Sequence, residues 1–392
     1  MPIEWKDEVM CNDGSPPNAH VIYPVKTRVR TQPSSALNTP VAACVFASAR
    51  NNQSVTSSRT IRTLRIALRA LLALLLFTIL AYLLWSPGEI IADGRHDRGT
   101  NAIWLGHAWL SDDGWFARNP HHDPSSYRDP ARITALAARL RKHHITDLFP
   151  HMAPANTDGR LPPIDAAQTE RFLDGFDDFR VIPWIGGVLN LHCFPDRPDW
   201  RAAFIASITE LLSNHPRLAG VQLNIEPLPT GNAGFLLLLE ELRAALPDDK
   251  LLCVAAYPPP TRWHPHPDVH WDETYFRAVA ARSDQLAVMM YDTALHRPKL
   301  YRHLMTRWTR DVIAWSGDKP VLLGLPAYDD AGTDYHNPAV ENLPNALMGI
   351  HAGLPPLSSL PPNYRGVAIY SEWEMDEAEW VYFREYFQRT PR

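Results

Sequence analysis

The sequence predicts an α/β protein whose main domain is a (β/α)₈ TIM barrel, preceded by a single transmembrane helix and a disordered N-terminal tail. Three observations lead to this fold class. After residue 101, short apolar runs alternate with amphipathic stretches eight times. Before that region, a basic segment leads into an unbroken apolar run, and residues 1–58 are polar without periodicity. The predicted parts are therefore 1–58, 59–86, a linker over 87–100, and the barrel over 101–392.

The tail contains clusters such as DGSPPN and TQPSSALNTP, which are typical of a disordered, cytoplasmic segment. A start codon assigned too far upstream would give the same pattern. The formal net charge of −5 and pI near 6.4 argue against a nucleic-acid partner, because such proteins carry a basic patch for phosphates. The four cysteines form no C-x-x-C pair, so neither a thiolate zinc site nor a disulfide framework is expected.

The transmembrane prediction depends on four arginines at positions 59, 62, 65 and 69, followed by apolar residues from Ala70 to Trp85. Counted over 66–85, this segment is about 30 Å long as a helix, the thickness of the bilayer core. The arginines place the N-terminus in the cytoplasm, so the barrel would lie outside the inner membrane, in the periplasm. A cleaved signal peptide, with Ala92 as a weak cleavage site, would give a secreted protein instead. A buried core helix is the third reading.

Eight strands are predicted from runs rich in apolar residues, and they are almost continuously apolar, as in a parallel sheet covered on both faces. They span 102–110, 146–153, 180–188, 219–228, 250–260, 284–293, 319–328 and 365–375.

Segments with helical periodicity lie between these strands. One example is 129–144, where an Asp near the start precedes an apolar stripe. The other predicted helices are 165–176, which is short, 199–213, 231–246, 272–282, 299–315 and 376–388, with an irregular one before the last strand. An open doubly wound sheet is the alternative, but no strand is followed by a glycine-rich phosphate loop. A closed barrel places its active site at the carboxyl ends of the strands.

Those strand ends carry carboxylates, an amide and aromatic rings, which together suit a carbohydrate. The fourth strand, LAGVQLNIEPLP, ends with Asn224 and Glu226, two residues apart and therefore on one face. The candidate substrate-binding residues at the other strand ends are Trp109, Trp184, Tyr257, Asp292, Tyr328, Tyr370, Glu372 and Trp373.

Three strands resemble glycoside hydrolase family 18, the chitinase-like barrels. The eighth, ending GVAIYSEWEMD, is similar to the last strand of that family, with Tyr370 where a Trp is usual. The sixth strand, LAVMMYDT, is similar to the M-x-Y-D motif of that family. The fourth stands where the family has D-G-x-D-x-D-x-E; the final Glu is kept as Glu226, and the three Asp positions are Ala219, Gln222 and Asn224. Asn224 resembles the N-I-E strand of the related family 85 endo-β-N-acetylglucosaminidases.

The resemblance implies substrate-assisted hydrolysis of an N-acetylhexosamine glycan, in which the 2-acetamido oxygen of the sugar is the nucleophile. It implies Glu226 as the acid, Asn224 as the residue that orients the acetamide, and Tyr291 as a hydroxyl donor to the acetamide oxygen. No cofactor is implied.

Several alternatives stay open. Asn224 and Glu226 could be a hydrogen-bonded strand end without catalysis. A retaining glycosidase would need a second carboxylate, for which Asp292 or Glu372 are candidates. A chitinase-like barrel that has lost catalysis would bind glycan through its aromatic residues. A metal site at His264, His266 and His270 is not expected, because a proline-broken loop does not fix ligands. The long polar loop after the seventh strand, with His336 and Glu341, is typical of loops that shape a site.

Overall fold

The structure is a computed structural model that describes residues 53–152, 154–262, 267–330, 333, 335–356 and 359–389. Residues 1–52 of the predicted tail lie outside the described residues. The chain divides into two compact units between Ser86 and Pro87.

The first unit contains one helix, α1, over Gln53–Leu84. Its part Ile61–Leu84 has a mean hydropathy of 2.4 in its most apolar window, and none of that window is buried. At about 1.5 Å per residue these 24 residues extend for about 36 Å. The helix is therefore apolar and long enough to cross a bilayer.

The second unit contains nine strands and ten helices in the residues that the structure describes. The strands are β1 Asn101–Leu105, β2 Ile145–Pro150, β3 Arg180–Val181, β4 Trp184–Val188, β5 Gly220–Glu226, β6 Leu251–Ala256, β7 Gln285–Val288, β8 Val321–Pro326 and β9 Tyr364–Tyr370. The helices are α2 Asp113–Arg118, α3 Pro124–Arg128, α4 Pro130–Lys142, α5 Ala166–Gly175, α6 Pro198–Asn214, α7 Ala233–Ala245, α8 Glu273–Ala280, α9 Pro298–Trp315, α10 Leu343–Gly353 and α11 Glu377–Tyr386.

All strand pairs are parallel, in the order β3-β2-β1-β9-β8-β7-β6-β5-β4. The two ends of this order, β3 and β4, are consecutive pieces of the predicted third strand. Ile182 N–H donates to Leu148 on one side, and Ala219 N–H donates to Val181 on the other. The third strand thus bonds to both neighbours, and the sheet curls into a TIM-like barrel, which confirms the barrel part of the predicted fold class.

Proline explains why the third strand is broken. Pro183 has no N–H to donate, so the ladder is interrupted between β3 and β4. The carbonyl of Pro183 still accepts from Gln222 N–H, and His151 forms a bridge with Trp184. The interruption therefore leaves the barrel closed.

Strand alternation divides the core into two layers. The larger layer lies between the strands and the helices and includes Val221, Leu223 and Ile225 of β5. The barrel interior holds a second cluster with Trp104 and Trp184. Even-numbered residues of β5 face this interior, which sets the direction of the side chains at its end.

Short acidic caps start several helices. Asp129 accepts from Ala131 N–H at the start of α4, and Asp272 accepts from Tyr275 N–H at the start of α8. These caps satisfy N–H groups that have no partner within the helix. They fix where these two strand-to-helix connections end.

The segment 87–100, predicted as a linker, makes hydrogen bonds with the barrel. Glu89 N–H donates to Met348 on α10 at 2.8 Å, and Tyr364 Oη donates to the carbonyl of His96 at 3.0 Å. These contacts hold the segment against α10 and β9.

Candidate active site

Strand β5 directs two polar side chains into the carboxyl end of the barrel. Its seven residues are all buried. Leu223 and Ile225 pack outward among the helices, so Asn224 and Glu226 face the interior, as the alternation predicts. β4 lies beside them, with Gly186 opposite Asn224 and Val188 opposite Glu226.

Gly186 allows β4 to come close to β5. A Cβ atom at this position would lie 1.9 Å from the carbonyl oxygen of Asn224, and the φ of Gly186 is +147°. Only glycine fits both conditions without strain. The backbone of Asn224 is therefore held by close contact with a neighbouring strand.

Glu226 is a buried acid with a pKa close to neutrality. Its side chain is nearly inaccessible, and this burial raises the pKa to about 7. A hydrogen bond from Asn224 acts in the opposite direction, and the charge of Asp292 adds to the increase. Glu226 thus exchanges a proton in the range that a general acid and base needs.

Asn224 has one polar atom bound and one without a partner. Its side chain donates to Glu226, which assigns the amide nitrogen to that contact. The Oδ1 atom is buried and has no hydrogen-bond partner among the described residues. A buried acceptor without a partner is costly, so it is available to an N–H group of a ligand.

Strand β7 brings Tyr291 and Asp292 to the same edge. Met290, just before them, accepts from Tyr301 Oη of α9 at 3.0 Å, which anchors the strand end. Asp292 has a φ of 59°, a left-handed conformation that Asp tolerates better than most residues. Because β7 ends at Val288, Tyr291 and Asp292 lie beyond the strand, and strand alternation does not set the directions of their side chains.

Asp292 is the acceptor of two hydrogen bonds at one oxygen. Tyr328 Oη and His336 Nδ1 both donate to Oδ1, the latter at 3.1 Å. The carboxylate is only partly exposed, and its charge raises the pKa of both Glu226 and Tyr291. The charge of Asp292 is therefore close enough to Glu226 to influence its protonation.

Aromatic rings line this edge around Tyr370. Its ring lies 5.6 Å from that of Tyr291 and nearly parallel to it, and 5.1 Å from that of Tyr328, edge to face. Trp373 packs against the other side at 5.4 Å. We call the following group the mouth cluster: Asn224, Glu226, Tyr257, Tyr291, Asp292, Tyr328, Tyr370 and Trp373.

Tyr257 completes the mouth cluster at the end of β6. Its ring packs edge to face on Trp271 at 5.6 Å, and Trp271 in turn donates its indole N–H to Leu228. Burial raises the pKa of Tyr257 well above its ordinary value, and the charge of Glu226 adds to the increase. The hydroxyl therefore stays protonated and can donate a hydrogen bond.

Two residues that were predicted to bind substrate, Trp109 and Glu372, lie outside the mouth cluster. Trp109 is fully buried in the outer layer, where it packs on Tyr127 and Phe172. Glu372 accepts a hydrogen bond from Trp109 and lies beside Arg132. Burial raises the pKa of Glu372, and these partners lower it. The structure does not bring either residue into the mouth cluster.

Trp184 lies beneath the mouth cluster, not at its surface. It belongs to the interior layer, and its ring stacks on His151 at 3.6 Å. The ring centres of His107 and His151 are 3.6 Å apart, and those of His107 and Trp115 are 5.6 Å apart. Trp184 thus supports a column of rings, and its own face is covered.

His336 and Glu341 are the site residues that sequence reasoning assigned least well. They lie in the connection between β8 and α10, where neither period of a helix nor of a strand is present. Thr293 N–H donates to Glu341 Oε2 at 2.8 Å, next to Asp292. In the sequence, only the length and polarity of this connection indicated that it belongs to the site. Neither property predicts where an individual side chain points.

The described residues contain no group of three His, Cys, Asp or Glu side chains that could hold a metal ion. Two members of the predicted histidine-rich segment, His264 and His266, lie outside the described residues. His270 is buried, with its ring 6.2 Å from that of Trp308.

No family model matches the chain, and no curated protein matches it in sequence. Solved structures with a similar fold include the spore cortex-lytic enzyme SleL of Bacillus megaterium, with a TM-score of 0.48 and 15% identity over 75% of this chain and 76% of that one. A chitinase of Rhizomucor miehei has a TM-score of 0.47 and 13% identity, over 74% and 99% of the two chains. A fungal endo-β-N-acetylglucosaminidase of glycosyl hydrolase family 18 has a TM-score of 0.46 and 14% identity, over 74% and 98%.

Proposed function

We propose that the chain is a glycoside hydrolase that acts on an N-acetylhexosamine-containing glycan by substrate-assisted catalysis, with Glu226 as general acid and base. The observation that carries this proposal is the pairing of Glu226 with Asn224. Burial keeps Glu226 protonated up to about neutral pH, and Asn224 presents an acceptor without a partner beside it. An acid for the leaving oxygen and an acceptor for an acetamide N–H are the two groups this mechanism requires.

In the first step, Glu226 donates its proton to the glycosidic oxygen as the bond between this oxygen and the anomeric carbon breaks. The acetamide oxygen of the same sugar forms a new bond to the anomeric carbon, so that a cyclic oxazolinium results. Asn224 Oδ1 accepts from the acetamide N–H and stabilises the positive charge that develops there. Tyr291 donates its hydroxyl to the acetamide oxygen and fixes the direction of attack.

In the second step, the Glu226 carboxylate removes a proton from water. The oxygen of this water attacks the anomeric carbon, and the bond to the acetamide oxygen breaks, which regenerates the acetamide and the protonated acid. The configuration at the anomeric carbon is retained after two inversions. Asp292 and the rings of Tyr370 and Trp373 hold the sugar during both steps.

We also propose that helix α1 anchors this enzyme in the inner membrane as a single pass. The apolar length of Ile61–Leu84 supports this proposal. The arginines that precede the unbroken apolar run support it as well, and three of them lie in the first turns of Ile61–Leu84. The basic end would remain cytoplasmic, and the residues after Trp85 would be exported. Glycans of the cell envelope or the periplasm would then be the accessible substrates.

The experiment is hydrolysis of an aryl β-N-acetylglucosaminide and of peptidoglycan fragments by the full chain in detergent. We expect turnover by the wild-type chain and a loss of about 10²- to 10⁴-fold in kcat for Glu226→Gln, because the amide cannot donate the proton. Glu241→Gln is the matched control, since Glu241 pairs with Arg201 on the outer helices and lies outside the mouth cluster.

An aryl β-glucoside, which lacks the acetamide, separates this mechanism from one with two carboxylates. We expect no turnover of the glucoside, whereas an enzyme with Asp292 as nucleophile would hydrolyse it. Equal activity of Glu226→Gln and the wild-type chain would contradict the assignment of the acid. Binding of N-acetylglucosamine oligomers without any hydrolysis would show a glycan-binding protein instead.

A further inference from the structure

The proposed chemistry leaves two buried ionisable residues of the site without a role. His336 and Glu341 come from the connection between β8 and α10 and reach the turn at Asp292. Both side chains are buried. Neither residue contacts a group that the proposed reaction places next to the scissile bond.

The ring of His336 is fixed on two sides. Its face lies against Tyr328 at 4.1 Å with an angle of 23° between the planes. Its Nδ1 donates to Asp292 Oδ1 at 3.1 Å, and its side chain is fully buried. Tyr328 donates to the same oxygen, so stacking and hydrogen bonding fix the three groups together.

This arrangement uses only one oxygen of Asp292. Within the described part of the chain, Oδ1 accepts both hydrogen bonds and Oδ2 accepts none. The carboxylate is 23% exposed, whereas the imidazole behind it has no exposed surface. The open oxygen is therefore the one that a ligand can reach.

Glu341 holds the backbone on the other side of Asp292. Its Oε2 accepts from the N–H of Thr293 at 2.8 Å, and its Oε1 is buried with no partner among the described residues. Burial raises the pKa of Glu341 to about 8, and the charge of Asp292 adds to this. Glu341 is thus mostly protonated at pH 7.

We propose that His336 is a positioning residue that acts through Asp292, holding Oδ1 from behind so that Oδ2 is presented to the sugar hydroxyls. Glu341 fixes the peptide that follows Asp292 in the same arrangement. This inference rests on the proposed function for the identity of the ligand. The contact of His336 with Asp292 can be tested without that ligand.

The charges around His336 determine how a substitution should act. Burial alone would lower the pKa of His336, but the hydrogen bond to Asp292 and the charge of Asp292 raise it, with smaller increases from Glu341 and Asp330. Glu374, which follows β9, also lies within the electrostatic range of His336. When it is protonated, His336 offsets part of the negative charge of Asp292.

The first measurement follows the ring of His336 by NMR in the full chain with ¹³C-labelled histidine, assigned by loss of its signal in His336→Asn. In Asp292→Asn we expect the titration midpoint of His336 to fall below its ordinary value, since burial then acts without the carboxylate. An unchanged midpoint would overturn the proposal. This result does not depend on turnover.

The second measurement is the pH dependence of kcat/KM for His336→Ala. The charge of Asp292 raises the pKa of Glu226, and His336→Ala leaves that charge without its hydrogen-bonded partner, so we expect the alkaline limit to move up by at least about 0.5 pH unit. His336→Asn keeps an N–H donor near the Nδ1 position and should restore kcat but not the alkaline limit. An unchanged alkaline limit in His336→Ala would contradict the proposal.

His351→Asn is the matched control, because His351 is a buried histidine of α10 that contacts His96 and not the mouth cluster. We expect it to lower stability and leave the alkaline limit in place. A wild-type chain that hydrolyses none of the substrates would contradict the proposed function, and the NMR titration would still decide whether His336 holds Asp292.

Discussion

Asn224 is the residue that separates this site from a strand ending in two acids. Its nitrogen donates to Glu226, which lowers the pKa of Glu226 against the effect of burial, and its oxygen has no partner among the described residues. A carboxylate at the same position would have no N–H to donate. Burial thus raises the pKa of Glu226, and the amide of Asn224 lowers the pH at which Glu226 loses its proton.

Asn224→Asp should extend activity to higher pH. The substitution removes the N–H donor and adds a second acid, so the last proton of the pair is lost at a pH above that of Glu226 in the wild-type chain, which is about 7. Since the acid must be protonated to donate, the alkaline limit of kcat should rise. The measurement is the pH profile with the aryl N-acetylglucosaminide.

Asn224→Leu distinguishes this electrostatic effect from a loss of structure. Leu has a similar volume, neither donates nor accepts, and should lower kcat at every pH. An alkaline limit in Asn224→Asp at or below that of the wild-type chain would contradict the role given to Asn224.

Alternation along strands made part of the site predictable at the level of single residues. Asn224 and Glu226 lie within β5, where a period of two fixes the face. Trp109 and Glu372 lie beyond β1 and β9, which end at Leu105 and Tyr370. The period of two no longer applies after a strand ends, and these two side chains turn towards each other in the outer layer.

At the scale of elements, the eight-fold alternation of strands and helices followed from apolar periodicity. The break between β3 and β4 did not follow from this periodicity. The sequence stays apolar through Pro183, whereas the ladder of backbone hydrogen bonds is interrupted there. The short helices α2 and α3 follow β1 and were also not predicted. Their few residues give too short a window for a helical period to be recognised.

Gly186→Ala should disrupt the pairing of β4 with β5. The added Cβ would lie 1.9 Å from the carbonyl oxygen of Asn224, and both groups are backbone-fixed. We expect a loss of more than about 2 kcal/mol in the free energy of unfolding, together with lower kcat because Asn224 moves. Denaturant unfolding and hydrolysis of the full chain in detergent measure both effects.

Gly231→Ala provides the control for backbone conformation alone. Gly231 also has a positive φ, +82°, but a Cβ there would meet nothing within 4 Å. We expect it to cost about 1 kcal/mol and to leave kcat unchanged. An equal loss of stability in both variants would show that close contact with Asn224 is not what requires glycine at 186.

At the scale of the whole molecule, the two units have opposite surface character. Helix α1 exposes large apolar side chains from Ile61 to Leu84, whereas the described part of the unit that begins at Pro87 keeps its core residues buried and exposes few. Water would not solvate the surface of α1 without a large free-energy cost. This apolar surface supports the proposed membrane anchor, and a cleaved signal peptide is the alternative.

The anchor prediction is that the mature protein retains α1 and stays in the membrane. The intact mass of the purified chain should include residues 59–86, and the chain should resist extraction by alkaline carbonate. Leu75→Arg with Leu76→Arg should move it out of the membrane fraction, because each arginine costs about 2.5 to 3.5 kcal/mol near the bilayer centre. Leu237→Arg, at an exposed leucine of α7, is the matched control and should not change fractionation. A mature mass that begins after Trp85 would instead identify the segment as a cleaved signal peptide, and the barrel would then be a secreted enzyme.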